Sequence, residues 1–154
     1  MLFTGSYEHT IDAKNRLAIP ADIRARWSPE VDGSAWYAIP RVGGAVRLFT
    51  ERLFQDRAAG YTSSLTPDPD EAALLTTLFG LAQRLEMDAA GRVRLPDETL
   101  KLAGLSGEVV LVGVGHWLEI QDRASWRKNV EARLAALPEL MATLERKQSG
   151  DRGQ

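Results

Sequence analysis

The residues in this sequence whose spacing most clearly indicates a chemical role are two pairs of opposite charge. They are Asp12 with Arg16 and Asp88 with Arg92, at the same spacing. A carboxylate can accept hydrogen bonds from nearby N–H groups and so stabilise a turn. A guanidinium can pair with that carboxylate, bind a phosphate through two nitrogens, or recognise O6 and N7 of guanine. Two roles are therefore open for each arginine: bracing its own turn or contacting nucleic acid.

Each pair belongs to a short pattern that occurs twice. Residues 12–20 read D-A-K-N-R-L-A-I-P, and residues 88–96 read D-A-A-G-R-V-R-L-P. Aspartate, alanine, arginine and proline recur at the same places, and the copies lie about half the chain apart. A repeat on this scale indicates two copies of one supersecondary unit.

The fourth residue of each copy, Asn15 or Gly91, belongs to a type that tolerates the left-handed backbone conformation. The pattern therefore predicts a strand, a tight turn and a second strand. In this interpretation Asp12 and Asp88 are mainly structural, because each accepts backbone hydrogen bonds within its turn.

The strand after each turn alternates in character, so its apolar residues and its arginines lie on opposite faces. Together with neighbouring basic residues, the arginines form a set of predicted DNA contacts: Lys14, Arg16, Arg24, Arg92 and Arg94. The second copy has Ala90 where the first has Lys14, and Leu100 where the first has Arg24. We therefore expect the second copy to bind DNA more weakly.

Hydrophobic periodicity predicts the elements that position these residues. Strands are expected at about 3–11, 35–40, 45–49, 84–88, 108–113 and 117–121. Helices are expected at 21–27, from Thr50 as N-cap through Arg57, at 70–83, around Leu100, and from 122 to 146. Pro138 is expected to kink or restart the last helix, and the tail after it to fray. The leucine stripe at 74–81 is expected to pack against the strands of its own chain, with contact between subunits as the alternative.

These elements divide the chain into four segments. They are a first unit at 5–52, a linker with a helix at 53–81, a second unit at 82–124, and a C-terminal helical segment and tail at 125–154. Each unit has roughly fifty residues, too few to bury a comfortable core alone. We therefore expect the two units to bury each other's apolar strands.

Composition excludes several classes of function. The sequence has no cysteine, and we recognise neither a signal peptide nor an apolar run of membrane-spanning length, so a cytoplasmic protein is predicted. His9 and His116 are isolated, and no phosphate-binding loop or catalytic triad is recognisable. We expect no enzyme activity, no metal site, no cofactor and no small-molecule substrate. Because the formal net charge is -2, DNA binding would need positive charge concentrated on one face.

Beyond its two D-x-x-x-R motifs, the sequence resembles the MraZ family in several flanking segments. These are F-T-G-S-Y-E-H-T-I at 3–11, A-G-L at 103–105, V-V-L-V-G-V-G at 109–115 and L-E-I at 118–120. The resemblance implies two SpoVT/AbrB-type domains whose hairpins interlock within one chain. The expected fold is mixed α+β and β-rich, a duplicated swapped-hairpin β-barrel with flanking helices.

The same resemblance implies a function and partners. Members of that family are DNA-binding transcriptional regulators that bind tandem direct repeats upstream of the division and cell-wall operon, associate with the nucleoid and assemble into rings. Promoter DNA and further copies of this chain are thus the implied partners, without a membrane. The family usually has glycine where this chain has Asn15. The alternative is an antitoxin-like module whose segment 122–147 binds a protein, which co-purification would distinguish.

Overall fold

A computed structural model describes residues 1–61 and 64–153 of the chain. Its helices and antiparallel strands confirm the mixed α+β class. The chain divides into two compact units, Met1–Arg123 and Ala124–Gln154, and the first contains both copies of the repeated pattern. Within the predicted linker, Thr62 and Ser63 lie outside the described residues.

The strands lie close to the positions that periodicity predicts. In chain order they are β1 (Ser6–Thr10), β2 (Arg16–Ala18), β3 (Ala35–Arg41), β4 (Ala45–Thr50), β5 (Gln83–Glu86), β6 (Arg92–Arg94), β7 (Glu108–Gly113) and β8 (Leu118–Asp122). β1 is shorter than expected, since Phe3 makes only an isolated bridge to Gly115.

The helices also follow the sequence pattern, with differences at the C-terminus. They are α1 (Ala21–Arg26), α2 (Pro29–Asp32), α3 (Glu51–Ala58), α4 (Pro69–Leu81), α5 (Asp97–Ala103) and α6 (Arg123–Arg152). Thr50 caps α3 as predicted, because its side chain accepts a hydrogen bond from Leu53 N–H at 3.3 Å.

α6 continues through Pro138 to Arg152, so the helix does not restart at the proline and the tail is helical rather than frayed as far as Arg152. A proline removes one N–H from the helical ladder and crowds the carbonyl four residues before it, so the kink expected at Pro138 stays a prediction.

Strands of the two halves are exchanged in a six-stranded antiparallel sheet whose order is β1-β7-β8-β4-β3-β5. β1 pairs with β7, so the first strand of the first half joins the second half. β5 pairs with β3, so the first strand of the second half joins the first half. Each half therefore completes the sheet of the other.

The remaining strands, β2 and β6, form a separate two-stranded ribbon. The sheet does not close on itself into a barrel: the six-stranded sheet ends at β1 and β5, and the ribbon is not hydrogen-bonded into it as a strand. The turns within the two motifs carry the chain out of the sheet directly after β1 and β5, and the prolines at the motif ends limit each ribbon strand to three residues.

The core lies between the ribbon and the inner face of the sheet. Leu17 and Val93 on the ribbon are fully buried, as are Trp36, Leu48 and Leu111 on the sheet. The alternation of strand side chains explains why arginines occupy the other face of the ribbon. None of the helices within the described residues is both long and apolar enough to cross a membrane.

Gly113 provides a test of this architecture. A Cβ atom on Gly113 would lie 2.5 Å from Phe3 C and Thr4 N, so the N-terminal backbone crosses directly over it. We expect Gly113→Ala to destabilise the fold by roughly 1–3 kcal/mol, because backbone cannot yield as a side chain can. Denaturant unfolding measures the change.

The matched control is Gly80→Ala in α4, where a Cβ atom would meet nothing within 4 Å. Alanine favours helix there and should stabilise the protein by about 0.5–1 kcal/mol. Equal midpoints for Gly113→Ala and the wild-type protein would contradict the close crossing.

Candidate nucleic-acid interface

The carboxylate of Asp12 organises the first turn. Its Oδ1 accepts hydrogen bonds from the backbone N–H groups of Lys14 and Arg16, each at 2.9 Å, and its Oδ2 accepts one from Arg16 Nε at 2.8 Å. The turn closes through Asn15 N–H to Asp12 O, at 2.9 Å, and Asn15 has a φ of 61°. A left-handed residue at this position allows the chain to reverse tightly.

The second turn repeats this geometry almost atom for atom. Asp88 Oδ1 accepts from the N–H groups of Ala90 and Arg92 at 2.9 Å, and Oδ2 accepts from Arg92 Nε at 2.9 Å. Gly91 has a φ of 77°. Each aspartate thus accepts hydrogen bonds within its own turn, and each arginine braces that turn through Nε.

These hydrogen bonds favour the ionised form of each aspartate. The backbone N–H of Arg16 is the largest cause that lowers the pKa of Asp12, and the Arg16 guanidinium adds to it. The pKa of Asp88 is lowered in the same way by Arg92. Because the folded-state pKa is depressed, the contribution of these carboxylates to stability is present above the ordinary aspartate range and is lost as the pH falls through the lowered pKa.

The ribbon holds the two turns side by side. Leu17 pairs with Val93 at its centre, and both face the core. Two equivalent hydrogen bonds join the motifs: Ile19 N–H donates to Gly91 O at 2.9 Å, and Leu95 N–H donates to Asn15 O at 2.8 Å. The residue directly after each ribbon strand therefore holds the turn of the other motif.

Four of the predicted basic residues, Lys14, Arg16, Arg92 and Arg94, line one concavity together with Glu86 and Asp88. We call the four basic residues the paired-turn surface. Arg16 lies directly opposite Arg94 in the ribbon. Like charges at opposite positions repel, which favours an anion between or beside them.

The braced arginines still have free donors. Asp12 and Asp88 occupy only the Nε atoms of Arg16 and Arg92, whose side chains are about one-third exposed. The terminal nitrogens of both guanidinium groups have no hydrogen-bond partner among the described residues. The two roles that the sequence leaves open are thus compatible, because one edge braces the turn and the other is available.

Arg24 lies apart from the concavity, against the second turn. Its Nε donates to Ile19 O at 3.0 Å, and a Cβ atom on Gly91 would lie 2.2 Å from Arg24 Cδ. The fifth predicted contact therefore packs over the turn of the other copy. Leu100, its equivalent in the second copy, is buried in the core.

Sequence reasoning missed three contacts around these turns. Asn15 Nδ2 donates to Asp97 Oδ1, Arg94 Nε donates to Lys14 O at 3.1 Å, and Arg24 covers Gly91. These contacts join residues about half the chain apart, so local spacing contains no signal for them. Among residues 1–61 and 64–153, no group of three or more His, Cys, Asp or Glu could hold a metal ion.

The Gly91 turn yields a double-mutant test. Gly91→Ala should destabilise the protein by about 1–2 kcal/mol, because an L-residue resists this positive φ. It also forces Arg24 aside, so Arg24→Ala should remove part of the cost when the two changes are combined. Thermal or denaturant unfolding of both single variants and the double variant gives the coupling.

The equivalent change in the first copy, Asn15→Gly, serves as the control. Glycine relieves the left-handed backbone but loses the bond to Asp97, so the net change should stay under about 1 kcal/mol. Strict additivity of Gly91→Ala and Arg24→Ala would show that the Arg24 side chain does not press on this turn.

Comparison with known proteins associates the chain with one family. Residues 78–147 match the family model described as "MraZ protein, putative antitoxin-like". The chain is 33% identical to the "Transcriptional regulator MraZ" of Thermomicrobium roseum over 93% of its own length and 97% of that protein. It is 30% identical to the protein of that name from Phenylobacterium zucineum, over 98% of this chain and 94% of that one. It is 29% identical to the protein of that name from Mycoplasmoides gallisepticum, over 94% of this chain and 98% of that one.

Proposed function

The chain belongs to the MraZ family, and we propose that it is a transcriptional regulator that binds double-stranded DNA through the paired-turn surface. Arg16 and Arg92 carry this proposal. Each guanidinium is fixed by its Nε on a turn aspartate, while its terminal nitrogens have no partner among the described residues. A fixed guanidinium edge loses less side-chain entropy when it binds phosphate or guanine than a freely rotating one does.

The shape of the ribbon suits a DNA groove. A two-stranded ribbon fits the major groove, where guanine presents O6 and N7 to arginine. Arg16 and Arg94, opposite each other in the ribbon, would be relieved of mutual repulsion by a phosphate. Lys14 adds charge at the first turn and Arg24 beside the second, whereas Ala90 adds none. Within this proposal the first turn makes the stronger contacts.

The low overall charge implies that several copies act together. At a net charge of -2, the protein gains little from general attraction to DNA. We propose a homo-oligomer, formed as a ring, that places several paired-turn surfaces on tandem direct repeats upstream of the division and cell-wall operon. Avidity then converts weak single contacts into tight binding. The protein would act in the cytoplasm, associated with the nucleoid.

The finer fold assignment belongs to the same proposal. The exchange of β1 and β5 between the halves, together with the β2–β6 ribbon, is what two interlocked SpoVT/AbrB-type hairpins would produce within one chain. We propose units at 5–52 and 82–124, joined by the linker at 53–81 and followed by the helical segment at 125–154.

One observation favours a second candidate, an antitoxin-like protein-binding role. Helix α6 carries exposed apolar residues at alternating spacings of four and three: Val130, Leu134, Leu137, Met141 and Leu144. Such a stripe is typical of a helix that binds another protein element. Co-purification from the native host discriminates the two candidates, since a small protein partner favours this role and promoter DNA favours the regulator.

Substitution of the turn arginines tests the DNA contacts. Arg16→Ala should weaken binding by about 1–3 kcal/mol for each subunit that makes a base contact. Arg92→Ala should cost less, because fewer basic residues surround the second turn. Fluorescence anisotropy on the DNA upstream of the protein's own gene measures both affinities.

Asp12→Asn separates contact from bracing, because it removes the ion pair and keeps the Arg16 guanidinium. Affinity that falls as far in Asp12→Asn as in Arg16→Ala would mean that Arg16 acts only through the turn. Arg52→Ala, on α3, controls for loss of one positive charge, and an equal effect there would contradict a specific contact. An Arg92 effect as large as that of Arg16 would overturn the ranking of the two turns.

Target length and salt test the multi-subunit mechanism. Affinity should fall sharply when tandem repeats are reduced to a single repeat, because avidity is lost. It should also fall steeply with salt, since phosphate contacts release counterions. Titrations of one-repeat and multi-repeat duplexes at two salt concentrations measure both effects. Equal affinity for the two duplexes would exclude cooperation between subunits, and salt-insensitive binding would exclude the arginine contacts.

A further inference from the structure

A groove on the outer face of the six-stranded sheet, within the unit Met1–Arg123, has no role in the proposed DNA contacts. Its floor is formed by Ile39 on β3 and Phe49 on β4, with Trp117 just before β8. One wall is α3 and the other is α4, from which Leu78 and Phe79 face the opening. The cavity measures about 540 Å³, which lies within the usual size of small-molecule sites.

The aromatic rings around the groove hold one another in place. Phe54 stacks on Tyr37 with centroids 4.2 Å apart, and Phe79 meets Phe54 edge-on at 5.9 Å. Phe49 lies 5.7 Å from Trp117. Although these side chains are large and apolar, those that line the groove are only half-buried. Large aromatic surface that a fold leaves open in a concave site is typical of a binding site.

The leucine stripe of α4 contributes to this opening. No residue of α4 is buried, and Leu74 is 48% exposed. The helix therefore does not close onto the sheet as a purely packing helix would, and Leu78 forms part of the groove wall instead. The stripe thus borders an accessible apolar cavity.

The polar groups at the groove favour a negatively charged ligand. Arg57, in the last turn of α3, lines the groove, and no ion pair or side-chain hydrogen bond to it is found among the described residues. His116 also lines the groove, and none of the described lining residues carries a carboxylate. A guanidinium next to apolar rings complements an anionic group attached to an apolar body.

We propose that this groove binds an amphipathic organic anion: a flat aromatic body between the α3 and α4 walls, with one carboxylate on Arg57. The described residues that line this groove include none of the residues of the paired-turn surface. Binding here requires neither DNA nor the proposed regulatory role.

A matched pair of compounds tests the site on the full-length chain by isothermal titration calorimetry. We expect 1-naphthaleneacetate to bind saturably with one site per chain, and the neutral 1-naphthaleneacetamide to bind about tenfold more weakly, because it lacks the charge-assisted hydrogen bond. Arg57→Gln should reduce the acetate affinity to the amide level and leave the amide affinity unchanged.

Two further variants test whether both compounds bind in this groove. Arg52 lies on the same helix, but its guanidinium donates to Glu30 O. Arg52→Gln therefore removes a cation without changing the groove, and it should leave the affinities for the acetate and for the amide unchanged. Ala58→Trp should fill the groove and abolish binding of both compounds. The mass of the assembly, measured by light scattering, should stay the same. Loss of assembly in Ala58→Trp would identify the groove as a contact between copies and overturn the proposal. Absence of saturable binding to the wild-type chain, or equal losses for both compounds in Arg57→Gln, would also overturn it.

Discussion

Leu17 and Val93 lie opposite each other in the β2–β6 ribbon, and neither exposes any surface. Each comes from a strand of only three residues, which has little stability as an isolated hairpin strand. Burial of these residues against the sheet is therefore what maintains the ribbon, and the ribbon in turn requires both halves of the chain. The same constraint explains why β1 and β5 cross over, since each enters the sheet beside strands that the other half supplies.

The position of the charged residues follows from that burial. Because side chains alternate along a strand, holding Leu17 and Val93 inward keeps Arg16 and Arg92 outward. The turn aspartates then fix the Nε edge of each guanidinium, so the terminal nitrogens are presented on one surface. The proposed DNA contact is thus a product of the apolar core as well as of the charges. A protein with a small negative net charge can present a compact basic surface in this way without being basic overall.

Features that depend on near neighbours in the sequence could be predicted from it, and features that depend on distant pairing could not. The left-handed conformation of Asn15, the cap at Thr50 and the alternation of the strands each arise within a few residues. The open sheet, the packing of Arg24 over Gly91 and the groove beside Phe79 depend on contacts between segments that local patterns do not relate. For that reason local patterns predict the strands but do not show that the six-stranded sheet stays open at β1 and β5.

The exchange of strands also sets an order for folding during synthesis. Tyr7 pairs with Leu111, roughly a hundred residues later, whereas the β3–β4 hairpin can form as soon as it is made. At a synthesis rate of about 5–20 residues per second, β1 waits roughly 5–20 seconds for its partner strand. Contacts of such long sequence separation fold slowly because the loop must be closed before they stabilise it. Throughout that interval the nascent chain exposes an unpaired strand edge and half of an apolar core, a stage at which a ribosome-associated chaperone would be most useful to it.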